Sequence, residues 1–229
     1  MNRKNESVRE HVPLYLSREV LFPGMLLPVH VDSSSALALF QRVLDTREEL
    51  GVVPVERGNV LSPPDVGAVG TFARVVRMER LPDGSVHVHL RGTRRFRVRE
   101  MRWEQAYPEA TVEPVDDAPR NVLRSEALAA RVRELWEMYT QTMQRVMGTE
   151  MREVRVPDDP RHLAYFVASG LQTDFRALRA LLQLASVEDM LAREVALLAK
   201  ELWLLDFIDR TQEREMEHRL GPSGFLSRN

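Results

Sequence analysis

The chain has 229 residues, of which 44% are hydrophobic and 29% charged, and its formal net charge is −2. This length and mixture are typical of one large or two small soluble domains, and the nearly neutral charge argues against nucleic acid as the main partner. The sequence has no cysteine, which excludes disulfides, thiolate metal ligands and cysteine nucleophiles. We therefore expect a cytoplasmic protein, since a chain without disulfides fits a reducing compartment.

The first half of the chain is predicted to be mostly β-structure with one helix. Period-two alternation and β-rich composition indicate strands, and Ser33 to Ser35 offer N-caps for the helix. The pair Asp83-Gly84 predicts a hairpin turn after the strand that ends at Arg80, and the alternation then continues on either side of Gly92. We expect strands at residues 11–16, 52–55, 69–80, 86–99 and 103–115, a helix at 34–47, and a loop at 57–67.

One uncharged apolar run stands out, from Val20 to Val29. The pair Pro23-Gly24 predicts a turn in its middle, and Pro28 restricts its part of the run to a sheet edge or a strand end, because proline cannot donate to a ladder. The turn would leave Phe22 and Met25 near the surface, as at a binding site. The alternative is that the same side chains close the core of a small barrel.

The second half is predicted to be helical. Apolar residues recur at steps of three and four, and the candidate caps are Pro119, Asp159 with Pro160, Thr173 and Ser186. The last of these helices is long and its final third is highly charged. We expect two domains, at residues 11–117 and 118–220, with flexible tails at 1–10 and 221–229.

The sequence carries no motif for catalysis. The lysines are Lys4 and Lys200, and neither follows a glycine, so the chain has no phosphate-binding loop of the Walker A type. No nucleophile elbow occurs either. His87 and His89 share a strand face but lack further ligands nearby, so outward-facing polar residues are the better interpretation. We therefore predict a non-enzymatic protein without a cofactor or metal.

Five segments together resemble the N-terminal substrate-binding domain of the ATP-dependent Lon proteases. The order and spacing of the five segments are more specific than any one of them. The segments are Pro13-Leu14 with the apolar run 20–29; residues 66–73; Arg80 to Val86, which contains Leu-Pro-Asp-Gly; residues 90–96; and, in the helical half, residues 159–164 and 182–188.

The resemblance implies an α+β fold: a PUA-like β-barrel or curled sheet followed by a helical bundle with a long last helix. It implies a module that binds unfolded or damaged client proteins in protein quality control, that contains neither the ATPase nor the peptidase, and that self-associates through its helices. The family's long final helix usually continues toward the ATPase ring. Here Gly221-Pro222 would end it, so we expect a free-standing Lon-domain protein that acts as adaptor or regulator, with Lon or another ATP-dependent protease as a partner.

An apolar surface suited to such clients can be assembled from the run and the hairpin. Methionine is flexible and polarizable, which suits contact with unrelated sequences. The predicted client-binding residues are Leu21, Phe22, Pro23, Met25, Met78, Leu81 and Pro82. The alternative is that Met78 and Leu81 only pack the end of the barrel.

The second hypothesis is an RNA-binding PUA-like protein. Its site would be a stripe of arginines on one strand, with Glu100 and Glu104 diluting the positive charge. Solvated strands held by salt bridges are the competing explanation of this pattern. The residues of the stripe are Arg91, Arg95, Arg97 and Arg99.

Overall fold

A computed structural model describes residues 9–56, 67–103, 106–148 and 155–219, with side chains described up to residue 211. Most of the predicted loop at 57–67 and most of both predicted tails lie outside the described residues. The sheet has strands β1 (Glu10–Ser17), β2 (Leu26–Val31), β3 (Leu50–Pro54), β4 (Val69–Arg80), β5 (Val86–Arg102) and β6 (Glu109–Pro114). The helices are α1 (Ser34–Thr46), α2 (Val122–Met147), α3 (Pro160–Gly170), α4 (Phe175–Gln183) and α5 (Val187–Arg219).

The six strands form one curled mixed sheet in the order β2-β5-β4-β3-β1-β6. β6 pairs with β1 and also with the second half of β5, which closes five of the strands into a ring and leaves β2 added to β5 outside it. β1 and β3 are parallel, and the other pairs are antiparallel. The predicted α+β fold, a curled sheet followed by helices with a long last one, is confirmed.

Most of the predicted elements are confirmed, with local differences. Ser33 and Asp159 cap α1 and α3 through side-chain acceptors, but Asp174 rather than Thr173 caps α4. β5 runs through Gly92 without a break because both of its halves have partners on each side. The strand predicted at 103–115 is shorter. β2 was not among the predicted strands, although Pro28 had restricted its part of the apolar run to a sheet edge or a strand end.

Pro28 lies in β2, at an edge of the sheet, as its missing N–H required. Met25 pairs with β5, since its carbonyl accepts from the N–H of Gly92 at 3.0 Å. Backbone groups alternate in direction along a strand. The amide position of Pro28 therefore faces the open edge, where no ladder bond is lost.

The start of the apolar run is buried, and hydrogen bonds to distant strands hold it in place. The expectation that Phe22 lies near the surface is therefore wrong. Gly24 has a φ of 83° and donates its N–H to the carbonyl of Gly92 at 2.9 Å, and Thr71 Oγ1 donates to the carbonyl of Leu21 at 2.6 Å. A Cβ on Gly92 would collide with the carbonyl of Phe22. These contacts hold Leu21, Phe22 and Pro23 inside the protein.

The described core consists of three clusters. The α1 cluster joins α1 to the inner faces of β2, β4 and β5, and includes Leu39 and Val88. The barrel cluster fills the closed ring around Phe72 and Phe96. The helical cluster joins α2, α3, α4 and α5 and also contains Phe22 and Val69 from the sheet region, so the two regions share a core. The division into two domains at residue 117 stays a prediction.

Two contacts show that α2 and α5 run parallel. The N–H of Asn121, at the start of α2, donates to Glu188 at the start of α5 at 2.7 Å. Near the other end, Arg145 pairs with Asp209 at 3.1 Å. α3 and α4 return the chain between them.

Arg95 connects the sheet to the helices and is fully buried. Its guanidinium donates to the carboxylate of Asp117 and to the carbonyls of Leu182 and Leu184 at 2.7 and 2.8 Å. The hydroxyl of Tyr165 donates to the second oxygen of Asp117. Burial raises the pKa of Tyr165, so this hydroxyl stays protonated and keeps donating.

Glu194 is a buried carboxyl on α5 for which the described residues offer no hydrogen-bond partner. It lies one turn from Met190 and from Leu198, both fully buried. Desolvation raises its pKa well above the usual 4.5.

We expect Gly92→Ala to lower the free energy of unfolding by about 1–3 kcal/mol, because the added Cβ must displace the backbone of Phe22. Arg91→Ala, at the exposed neighbouring position, should change it by less than about 0.5 kcal/mol. Urea denaturation measures both. Equal stability of the two variants would show that the backbone of Phe22 is not packed closely against Gly92.

Replacing Arg95 with Met should destabilise the protein by about 3–5 kcal/mol, because Asp117 is then a buried charge without its cation. The free energy of unfolding should fall less in the double variant Arg95→Met with Asp117→Leu than the sum of the decreases in the two single variants. A double-mutant cycle in urea measures this coupling. Additive losses would contradict the buried pair.

Glu194 should make stability fall as pH rises. Its pKa is raised in the folded state, so the folded protein holds the proton more tightly than the unfolded chain above pH 4.5. Compared with Glu194→Gln, the free energy of unfolding of the natural protein should fall by up to about 1.4 kcal/mol per pH unit. The fall should begin above pH 4.5 and end once the pH passes the raised pKa of Glu194. Urea midpoints of both proteins across pH 4 to 8 test this, and parallel profiles would contradict it.

Candidate protein-binding site

The seven predicted client-binding residues do not form one surface. Phe22 belongs to the helical cluster, whereas Met78 packs against the α1 cluster. Met25 is half-buried and contacts both clusters. Only the residues contributed by the hairpin of β4 and β5 reach solvent together. These are Met78 and Leu81, which are half-buried, and Pro82, which is exposed.

The turn that joins β4 to β5 is fixed by its sequence. Gly84 has a φ of 86° and donates its N–H to the carbonyl of Leu81 at 3.0 Å, and the N–H of Leu81 donates to the carbonyl of Ser85 at 2.9 Å. Asp83 accepts from the backbone and hydroxyl of Ser85, and these two hydrogen bonds lower the pKa of Asp83. The predicted Asp-Gly turn is confirmed.

An apolar groove of about 450 Å³ lies beside this hairpin, between the end of α1 and β4. Leu44 is 38% exposed and Val76 is 50% exposed. These are large exposed fractions for two apolar side chains that line the same groove. Neither was predicted as a site residue. Val76 follows Val75 in a strand, where neighbouring side chains point to opposite faces, so one of the two had to face outward. Leu44 is four residues after Phe40, on the same side of α1, and its exposure arises because it lies at the end of the helix. We call this site the hairpin groove; it is lined by Leu44, Val75, Val76, Arg77, Met78 and Arg80.

A second apolar surface lies on α5. The rings of Trp203 and Phe207 stack with centroids 6.1 Å apart, one helical turn from each other. Both are more than half exposed, and Ile208 beside them is also exposed. We call these three residues the α5 aromatic face. The sequence pattern of the long helix did not single them out.

The predicted arginine stripe is broken. Arg95 is buried in the junction with the helices and is not a surface residue. The face opposite to Phe96 and Val98 is covered by helices at this point, so a side chain that points away from the barrel is not exposed. Arg97 donates to the carbonyl of Gly67, and Arg99 pairs with Glu113. Arg91 is exposed.

The histidines do not assemble a metal site within the described residues. His30 lies opposite His87 across β2 and β5, with ring centroids 5.2 Å apart. No group of three or more His, Asp or Glu side chains suited to a metal ion occurs in the part of the chain that the structure describes. Among the same residues, no helix is long and apolar enough to cross a membrane.

Two larger depressions are more polar. One of about 560 Å³ lies between β1 and the free edge of β2, near Tyr15, His30 and Trp103. The other, of about 990 Å³, lies where the sheet meets α4, and Arg176 and Glu56 form an ion pair across it at 2.9 Å. The serine hydroxyls of the first depression bond to backbone groups: Ser17 and Ser33 accept from the N–H groups of Glu19 and Ala36, and Ser35 donates to the carbonyl of Ala106.

Comparison with known proteins places this chain beside substrate-binding domains of proteases. Residues 11–200 match the family described as the ATP-dependent protease La (LON) substrate-binding domain. The chain is 29% identical over 170 residues to a Lon protease from Amoebophilus asiaticus, covering 72% of this chain and 20% of that protein. It is 28% identical over 211 residues to a Lon protease from Anaeromyxobacter dehalogenans, covering 89% of this chain and 25% of that protein. It therefore spans about a quarter or less of these relatives.

Two solved structures share the fold. One is an N-terminal domain of a Mycobacterium avium complex Lon protease, with a TM-score of 0.67, 19% identity, and coverage of 83% of this chain and 98% of that chain. The other is a Lon N-terminal domain protein from Xanthomonas campestris, with a TM-score of 0.59, 22% identity, and coverage of 82% and 98%.

Proposed function

This chain belongs to the ATP-dependent protease La (LON) substrate-binding domain family, and from that membership we propose that it is a non-catalytic module that binds unfolded or exposed apolar segments of client proteins. The family is named for substrate binding, and the relatives that the chain matches are Lon proteases. Delivery of clients to an ATP-dependent protease is part of the same proposal.

The observation that carries the proposal is the hairpin groove. Unfolded chains share apolar side chains that folded proteins bury, so a receptor for them needs exposed apolar side chains of its own. Leu44 and Val76 provide these, and the half-buried Met78, with its flexible thioether, also lines the groove. Leu81 and Pro82 extend the apolar surface toward the hairpin turn.

The other predicted residues have a supporting role in this proposal. Leu21, Phe22 and Pro23 are buried, and Met25 packs against both the α1 cluster and the helical cluster. We assign them to holding the sheet against the helices. Clients would contact the hairpin end of the sheet.

The double substitution Leu44→Ser with Val76→Ser should weaken binding of a reduced and alkylated, permanently unfolded model protein about tenfold, because it removes exposed apolar area from the groove. Fluorescence anisotropy measures the affinity, and circular dichroism verifies that the variant is folded. Raising the salt concentration should change this apolar binding little.

The matched control is Leu123→Ser, which removes an even more exposed leucine at the start of α2. It should bind the unfolded protein as the natural chain does. If the natural chain does not bind the unfolded protein, and instead binds structured RNA with an affinity that falls steeply with salt, the proposal is wrong and the RNA hypothesis takes its place.

A further inference from the structure

The hairpin of β4 and β5 projects beyond the closed ring, and one side of β4 is left open there. β3 pairs with β4 only at residues 71–73. From Arg74 to Arg80, the described residues provide a partner strand for β4 on the β5 side alone. A strand edge of this kind is a template for pairing with another extended chain.

The direction of the backbone groups on this edge follows from the turn. The N–H of Leu81 donates to Ser85, so Leu81 and Ser85 form a hydrogen-bonded pair. The register continues without a shift from Arg80 opposite Val86 to Arg77 opposite His89. Because such pairs alternate along an antiparallel ladder, Glu79 and Arg77 bond to β5. The N–H and C=O groups of Met78 and Arg80 therefore point to the open edge.

The side chains beside this edge also alternate. Met78 lies opposite Val88, which is fully buried, so the Met78 side chain is on the inner face, where it meets Leu44 in the hairpin groove. Arg80 is on the same face two residues further along and also lines the groove. Of the six residues that line the groove, four are apolar, two are arginines and none is acidic.

The free edge of β2 lacks this combination. On β2 the groups that face outward belong to Leu26, Pro28 and His30, and Pro28 removes the central donor. Val76 forms a bulge on β4, but the bulge ends before Arg77, so the edge from Arg77 to Arg80 is regular. The two edges therefore differ in whether a strand can be added.

We propose that an extended client segment adds as a strand to the open edge of β4 at Met78 and Arg80, with an apolar side chain in the hairpin groove and an acidic side chain two residues away against Arg80. This inference rests on the proposed function and specifies how the client is held. Main-chain hydrogen bonds serve any sequence, and the groove selects the alternating pattern. The occupant is a client peptide with the pattern apolar–any–acidic.

The test uses the full chain and a fluorescein-labelled peptide, Ser-Thr-Val-Thr-Glu-Thr-Ser. In an added strand, the amides of Val and Glu face one way and those of the three Thr face the other. N-methylating the amides that face β4 should weaken binding about tenfold, because backbone hydrogen bonds are lost, and methylating the other set should not. Equal tolerance of both methylated peptides would overturn the proposal.

Hydrogen exchange gives the matching readout on the protein. The amides of Met78 and Arg80 should exchange rapidly in the free chain and become protected by the peptide, whereas those of Arg77 and Glu79 should be protected throughout.

A charge reversal tests the acidic position of the peptide. Arg80→Glu should reverse the preference to a peptide with Lys in place of Glu. Arg91→Glu, which changes an exposed arginine on the outer face, should not.

The outcomes separate this inference from the function on which it rests. If the unfolded model protein binds in a way that depends on Leu44 and Val76, but Met78 and Arg80 gain no protection, strand addition is wrong and client binding stands. If the amides of Met78 and Arg80 are already protected in a free chain that sediments as a dimer, a second copy occupies the edge and the proposal of a client strand is overturned.

Discussion

The arrangement of the sheet against the helices depends on one buried guanidinium. Arg95 projects from the side of β5 that faces away from the barrel, where it would be solvated if the helices were absent. Its donors are divided between Asp117, in the segment that leaves the sheet, and the carbonyls of Leu182 and Leu184 at the end of α4. The carboxyl-terminal end of a helix carries partial negative charge, so a cation is favourable there.

A buried ion pair of this kind adds little net stability, because desolvation offsets much of the attraction between the charges. Its contribution is to fix the geometry of the junction. The guanidinium is planar and rigid, so Asp117 and the end of α4 must both be in place before its hydrogen bonds are made. Tyr165 fixes the second oxygen of Asp117 and thereby adds α3 to the same constraint. Apolar contacts of the helical cluster supply the burial, and the Arg95 network selects one orientation for it.

The sequence was sufficient for what depends on local patterns. Periodicity predicted the helices and most of the strands, the Asp-Gly pair predicted the hairpin turn, and the missing N–H of Pro28 predicted an edge. It was insufficient where burial depends on distant segments. Phe22 is buried because the turn that precedes β2 packs directly against Gly92, seventy positions away on the chain, and forms backbone hydrogen bonds with it. Arg95 looked like part of an exposed stripe because alternation along a strand shows which face a side chain is on, but not what covers that face.

The candidate site shows the same division between local and distant causes. Met78, Leu81 and Pro82 could be identified from the hairpin sequence, but the groove needs Leu44, which α1 supplies from outside the sheet. α1 ends at Thr46, and its C-cap residue Arg47, in the left-handed conformation with a φ of 58°, turns the chain toward β3. β3 then begins at Leu50, opposite Ala73, and runs away from the hairpin. The short connection between α1 and β3 therefore has two consequences: it sets Leu44 beside β4, and, among the described residues, it leaves the last part of β4 without a partner strand on that side.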